Sequence, residues 1–219
     1  MNYINFIFEN EIKKYQGLFE SFCPPPLKVA KKTDLLKQCQ TAGWLYYLID
    51  GVVKVYITNY EGNEHIVDLM RGGTLIGMDC VTPGSRSVVS ISALTDIRVL
   101  PFNMDILKKM LAKDPDFAFD LVLYYGKVLR QVTYHSGLLS LNNPLTRFAN
   151  FLYLFIDTPS YQERQVIELT QEEIASCINA SRAQITKMCR QFREEGIIQT
   201  GNRHIRVLAW DKLRNYCRF

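Results

Sequence analysis

The chain is poor in the residues that mark a metal enzyme: its 219 residues include three histidines, His65, His135 and His204, far apart and without an HxH pair. Enzymes of the cupin type hold their metal with several histidines and a carboxylate, so no such activity is expected. The six cysteines, Cys23, Cys39, Cys80, Cys177, Cys189 and Cys217, are scattered, with no CxxC pair and no cysteine–histidine cluster. That spacing suits neither a zinc site nor a disulfide framework, and the cysteines are expected to be thiols. No run approaches the roughly 18 apolar residues of a membrane helix. The opening stretch MNYINFIFENEIKKY carries acids within its apolar part, unlike a secretory signal. A cytoplasmic protein without a membrane partner is the expectation. Repeats and low-complexity segments are absent, and neither sign of charge dominates: 26 Lys and Arg against 22 Asp and Glu leave a net charge of +4. With 47% hydrophobic and 22% charged residues, the composition is that of a globular chain large enough for two domains.

What is present is concentrated near the carboxyl end. Residues 181–219 hold nine Lys and Arg against three Asp and Glu, whereas the preceding 180 residues hold 17 against 19. A local field of this kind, not a basic average, is what attracts a phosphate backbone. The same region reads as two short capped helices. Thr170 is followed three residues later by Glu173, and Ser181 three residues later by Gln184, so each pair can close a capping box. Ile178, Asn179 and Ala180 make the turn between them. On the second helix Ile185, Met188, Cys189 and Phe192 form one apolar stripe at a 3.6-residue period, leaving Ala183, Thr186, Lys187 and Arg190 opposite and Arg182 on the flank. Gly196 stops that helix, and Ile197-Ile198 and Ile205 to Leu208, with Gly201 in the turn between, read as a wing. A helix-turn-helix reader of double-stranded DNA is the expectation.

Upstream the pattern changes twice. Residues 5–22 suggest a short helix ended by Pro24, Pro25 and Pro26. From Leu27 to Phe102, short β-type runs separated by glycine-containing turns suggest an antiparallel barrel or jelly roll. The segment from Asn103 to Leu141 then turns helical. Phe117, Leu121, Tyr125, Val128, Val132, His135 and Leu139 step by three or four, a stripe long enough to pair with the same helix of a second subunit. Leu141, Asn142, Asn143 and Pro144 make the best domain boundary, and TRFANFLYLFI reads as a further amphipathic helix. The expected divisions are a leader over 1–26, a β-roll over 27–102, a helical region over 103–141 and a winged helix-turn-helix over 142–219.

This order of barrel, long helix and winged helix-turn-helix resembles the cAMP receptor protein/FNR (Crp/Fnr) family of bacterial transcription regulators, over nearly the whole chain. Two blocks carry the resemblance. WLYYLIDGVVKVYITNYEGNEHIVDLMRGGTLIG, residues 44–77, looks like the family's β-roll, with Gly51 and Gly62 at turns and Gly72–Gly77 leading into the effector pocket. TQEEIASCINASRAQITKMCRQFREEGII, residues 170–198, is similar to its signature helix-turn-helix. The resemblance implies an α+β protein: an N-terminal antiparallel β-roll (double-stranded β-helix, cyclic-nucleotide-binding-like), a long dimerisation helix and a C-terminal winged helix-turn-helix. It implies a non-enzymatic homodimer on an inverted repeat of DNA, with RNA polymerase and a small effector as partners. Arg182 is the first choice for a base contact, bidentate to guanine O6 and N7. Gln184, Thr186, Lys187 and Arg190 would add base or phosphate contacts, and the amides capped by Thr170 and Ser181 would help hold phosphates. Ala183 stands where the family commonly has a glutamate, so the usual operator is not implied.

Departures also fall in the effector pocket. Cyclic-nucleotide-binding members place a glutamate after the pocket glycine and an Arg-Ser pair further on; here Gly77 is followed by Met78, while Arg86-Ser87 remain for a phosphate. A thioether is a poor partner for a ribose hydroxyl pair, which counts against cAMP. No closely spaced N-terminal cysteines suggest an iron–sulfur cluster. No cofactor is implied with certainty. Tyr124, Tyr125, Lys127 and Arg130 on the long helix, with Met78 and Arg86, would give apolar walls and a few polar anchors. The segment GGTLIGMDCVTPG resembles the branch sensing small aromatic acids and halogenated phenols, where a lysine on this helix meets an ionised ligand. A small organic anion is therefore the leading effector. The same residues also fit plainer roles: Arg86 as an exposed turn residue, the tyrosines and Lys127 as packing at a dimer interface. A thiol redox switch through Cys177, Cys189 or another pair and a cyclic-nucleotide-dependent regulator remain as alternatives.

Overall fold

The structure, a computed structural model, describes residues 6–82 and 84–218. It divides into two compact units, Phe8–Val128 and Leu129–Phe219, the second including the chain up to Ile7. Of the leader expected over residues 1–26, residues 1–5 lie outside the described part. The rest carries a two-residue strand, β1 (Ile7–Phe8), a 3-10 turn (Lys13–Tyr15) and helix α1 (Gln16–Phe22). Over residues 6–22 one continuous helix does not form. Nor is the segment a detached leader, because Phe8, Ile12, Tyr15 and Phe19 belong to the core of the first unit.

That unit is built from β2 (Leu27–Val29), β3 (Asp34–Leu36), β4 (Leu45–Asp50), β5 (Val52–Thr58), β6 (Glu64–Arg71), β7 (Thr74–Ile76), β8 (Ser90–Ala93) and β9 (Ile97–Phe102). They form two antiparallel sheets, ordered β1-β6-β5-β8-β3 and β2-β9-β4-β7. The crossovers make this the double-layered roll that the turn spacing predicts. Strand alternation sends successive side chains to opposite faces. Leu48, Ile76, Ile97 and Val99 therefore join Val53, Val55 and Ile91 between the sheets, while Leu45, Tyr47, Leu75, Leu100 and Phe102 point to the helices. Those helices are α1, α2 (Met104–Lys113) and the first half of α3 (Pro115–Leu141). Gly51 shows what the tight β4–β5 turn demands. Its φ is +90°, and a Cβ there would lie 2.6 Å from the Asp96 carbonyl oxygen, so no other residue fits without distortion.

The boundary between the units falls within α3, between Val128 and Leu129, so residues 129–141 go with the carboxyl-terminal unit. α3 ends at Leu141, and α4 (Pro144–Ile156) starts with Asn143 capping the Thr146 N–H at 2.9 Å and Pro144 in its first turn. Then come α5 (Pro159–Arg164), α6 (Gln171–Cys177), α7 (Arg182–Glu194), the hairpin β10 (Ile198–Gly201) and β11 (His204–Val207), and α8 (Trp210–Arg214). Phe148 of α4 stacks on Phe192 of α7 with ring centroids 5.5 Å apart, and Ile174, Ile185 and Cys189 are fully or almost fully buried. No helix among the described residues is long and apolar enough to cross a membrane.

Candidate nucleic-acid interface and effector region

Helices as short as α6 do not persist by propensity alone; reciprocal caps help hold the pair. Thr170 Oγ1 accepts the Glu173 N–H at 3.1 Å while Glu173 Oε2 accepts the Thr170 N–H at 2.7 Å. Ser181 Oγ accepts the Gln184 N–H at 3.2 Å and Gln184 Oε1 accepts the Ser181 N–H at 2.8 Å. Asn179, in the left-handed region at φ 50°, turns the chain between them. Ile185, Met188, Cys189 and Phe192 are buried, whereas Arg182, Ala183, Gln184, Thr186, Lys187 and Arg190 are exposed. The expected division of α7 into an inner and an outer face is thus what the chain adopts.

The outer residues differ in freedom. The side chains of Arg182 and Lys187 have no hydrogen bond or ion pair among the described residues. Arg190 stands 3.9 Å from Glu194, a loose exposed pair. Thr186 Oγ1 lies 2.9 Å from Gln171 Oε1 and 3.0 Å from the Arg182 carbonyl, so its one proton is already engaged. An open cleft runs from the start of α6 to the wing, lined among others by Thr170, Gln171, Arg182, Thr200, Arg203 and His204. Gln171 and Arg203 were not singled out from sequence; that Gln171 follows a cap and Arg203 sits at a hairpin tip were the available signals. Behind this face, Arg147 donates to the Leu139 carbonyl at 3.1 Å and to the Asn179 carbonyl at 2.9 Å, fastening the end of α3 to the turn between α6 and α7.

The effector candidates Gly77, Met78, Arg86, Ser87, Tyr124, Tyr125 and Lys127 lie in the first unit; Arg130, exposed, belongs to the second. Gly77 has φ +84° and starts a short 3-10 turn, Met78–Cys80, whose Met78 packs against the core. Ser87 is buried and Arg86 exposed, as expected of a turn residue. The Ser87 hydroxyl donates to Asp79 Oδ2 at 2.6 Å, and the same oxygen accepts the Val88 N–H at 3.0 Å. Asp79 had been given no role. Tyr124 is buried, and burial pushes its phenol well above the ordinary range; Tyr125 is pushed up by burial and, secondarily, by the nearby Asp79 charge. Both phenols stay neutral. Lys127 is not poised over this region, since its ammonium lies 2.6 Å from Glu11.

The stripe expected to meet a second subunit needs correction. Phe117 is fully buried and Leu121, Tyr125 and Val128 pack against the protomer's own core. His135 lies against Phe6, ring centroids 4.8 Å apart, and Leu139 is half-buried. Only Val132 of the set is exposed. α3 has a second apolar side, exposed at Phe119, Val122, Leu123 and Leu129, and a 3.6-residue period cannot tell which side the sheet covers.

The thiols are buried at Cys177, Cys189 and Cys217, and no disulfide joins the cysteines among the described residues. Burial pushes Cys189 up to about 11 and Cys217 to about 12, which suppresses the reactive thiolate that a redox switch requires. No three His, Cys, Asp or Glu side chains gather as a metal site among the described residues.

Comparison with known proteins gives the same two parts. The model of the Crp-like helix-turn-helix domain matches residues 146–216, and that of the cyclic nucleotide-binding domain matches residues 26–114. A CRP-like cAMP-activated global transcriptional regulator of Mycobacterium tuberculosis is 26% identical over 179 residues, 80% of each chain. The c-di-GMP responsive global regulator CLP of Xanthomonas campestris superposes with a TM-score of 0.78 at 16% identity, covering 90% of this chain and 99% of that one. CprK complexed with OCPA gives 0.73 at 16% identity, covering 95% and 97%.

Proposed function

Since the chain belongs to the Crp/Fnr family of transcription regulators, which are not enzymes, we propose that it binds an inverted-repeat operator as a homodimer and answers to a small effector. The observation that carries this reading is the outer face of α7. Two cations without internal partners, Arg182 and Lys187, stand beside short side chains on a helix fixed from behind by Phe192 and Phe148. A basic, sterically open helix face suits a major groove.

Homodimerisation is supported by the exposed side of α3. Phe119, Val122, Leu123, Leu129 and Val132 form an apolar surface on one element, and such surfaces usually mark association. In the proposed assembly these residues, rather than the inward Phe117, Leu121 and Tyr125, meet the partner. Effector binding in the first unit shifts the pairing of the long helices and so the spacing of the two copies of α7, which must enter successive grooves roughly 34 Å apart. RNA polymerase is the downstream partner. The effector is a small organic molecule; an aromatic acid that used Lys127 would first have to displace Glu11.

Selection of bound sequences from a random duplex pool by the full chain, followed by anisotropy titration and sedimentation, tests this reading. The expected result is a dimer that enriches an inverted repeat, and Val122→Glu together with Leu129→Glu yields a monomer with weakened operator binding. A monomeric wild type, or no preference over random competitor with any effector tried, overturns it.

A further inference from the structure

The loop after Gly77 holds two hydrogen-bond donors aimed at one point. Ser87 is fixed on both sides of its backbone: its N–H donates to the Gln40 carbonyl and its carbonyl accepts the Cys39 N–H, each at 2.8 Å. Its hydroxyl, which also lies 2.8 Å from the Val89 carbonyl, and the neighbouring Val88 N–H converge on Asp79 Oδ2, at 2.6 and 3.0 Å. Beside them Arg86 is exposed and has no hydrogen bond or ion pair among the described residues. A hydroxyl and an amide converging on one point, with an arginine next in the chain, make a cradle for an anionic oxygen, and here a side chain of the protein itself fills it.

We propose that Asp79 is a built-in substitute ligand: it occupies the oxyanion cradle of Ser87 and Val88 and thereby excludes phosphate-bearing effectors such as cyclic nucleotides. This rests on the reading of residues 26–114 as an effector domain. Two effects combine. The Ser87 hydroxyl has one proton and cannot serve a phosphate while it serves the carboxylate. A phosphate brought up to Val88 would also stand within a few ångströms of the Asp79 charge, where like charges repel appreciably. Met78 offers a ribose only a weak thioether acceptor, so the ribose adds little to offset that cost. Asp79 thus sets the specificity of the domain by charge, and the cradle is filled without any small molecule.

The test titrates cAMP, with adenosine as the phosphate-free control, into the full chain by calorimetry at neutral pH. Wild type shows no saturable cAMP binding. Asp79→Ala binds cAMP at least about tenfold more tightly than wild type, gains nothing for adenosine, and loses the gain when Ser87→Ala is added. A second measurement is independent of any variant's folding: in wild type the Val88 amide proton does not move on addition of cAMP. Saturable cAMP binding by wild type that moves the Val88 amide overturns the proposal, as does a folded Asp79→Ala with no gain or an equal gain for adenosine. Operator binding is scored separately, so a failed regulator reading and a failed Asp79 reading are distinguishable.

Discussion

The two units treat their polar groups in opposite ways. On the face of α7, Arg182 and Lys187 point outward without partners, whereas in the first unit Lys127 is paired with Glu11 and the Ser87–Val88 donors are closed by Asp79. An open set of donors waits for a partner of opposite charge; a closed set must exchange one bond for another before it can admit a ligand, which lowers the net gain. The contrast separates a surface made for an external polyanion from one already satisfied from within.

The largest way to break this contrast is to remove what holds the open face in place. Phe192→Ala empties a buried position against Phe148 and should lower unfolding free energy by about 3–5 kcal/mol, measured by urea denaturation. Next, Arg182→Ala should cost about 1–3 kcal/mol of operator affinity and relax preference at one base position; an equal loss over all sequences would assign Arg182 to phosphate instead. Ser181→Ala removes one half of a capping box and should destabilise by about 1 kcal/mol. On the closed side, Glu11→Gln should change stability by under about 1 kcal/mol, because the Lys127 partner is largely exposed.

Alkaline pH sharpens the comparison further. Burial pushes Cys23 and Cys189 up to about 11 and Cys217 to about 12, so the folded chain holds these protons more tightly than the unfolded one. Their contribution is whole below the unfolded thiol value, about 8.5, and is lost as pH rises through the folded values. The melting temperature should therefore fall from about pH 9 upward, and Cys189 should resist alkylation at neutral pH while exposed Cys39 reacts.

Local signals were the ones that could be read from sequence. The caps at Thr170 and Ser181 and the inner stripe of α7 depend on neighbours three or four residues away, and the chain adopts them as spaced. The β-roll was legible from its glycine turns. Thr158-Pro159, a cap followed by a first-turn proline, is a local signal for α5. What stayed hidden was tertiary. Asp79 meets Ser87 only because a loop folds back across eight residues, and α3, apolar on two sides, gave no hint that Phe117 rather than Phe119 would face the sheet. The role of the amino-terminal segment, filling the core with Ile12 and Phe19, is not legible locally because it depends on a sheet formed much later in the chain.

The Ser181–Gln184 box has a consequence for base preference. With Oε1 already accepting the Ser181 amide, Gln184 has one of its two acceptor lone pairs engaged and its NH2 unengaged by the box. It is thereby biased toward acceptors, such as guanine O6 and N7 or thymine O4, and the paired give-and-take by which a glutamine ordinarily singles out adenine would need a second bond to the same oxygen.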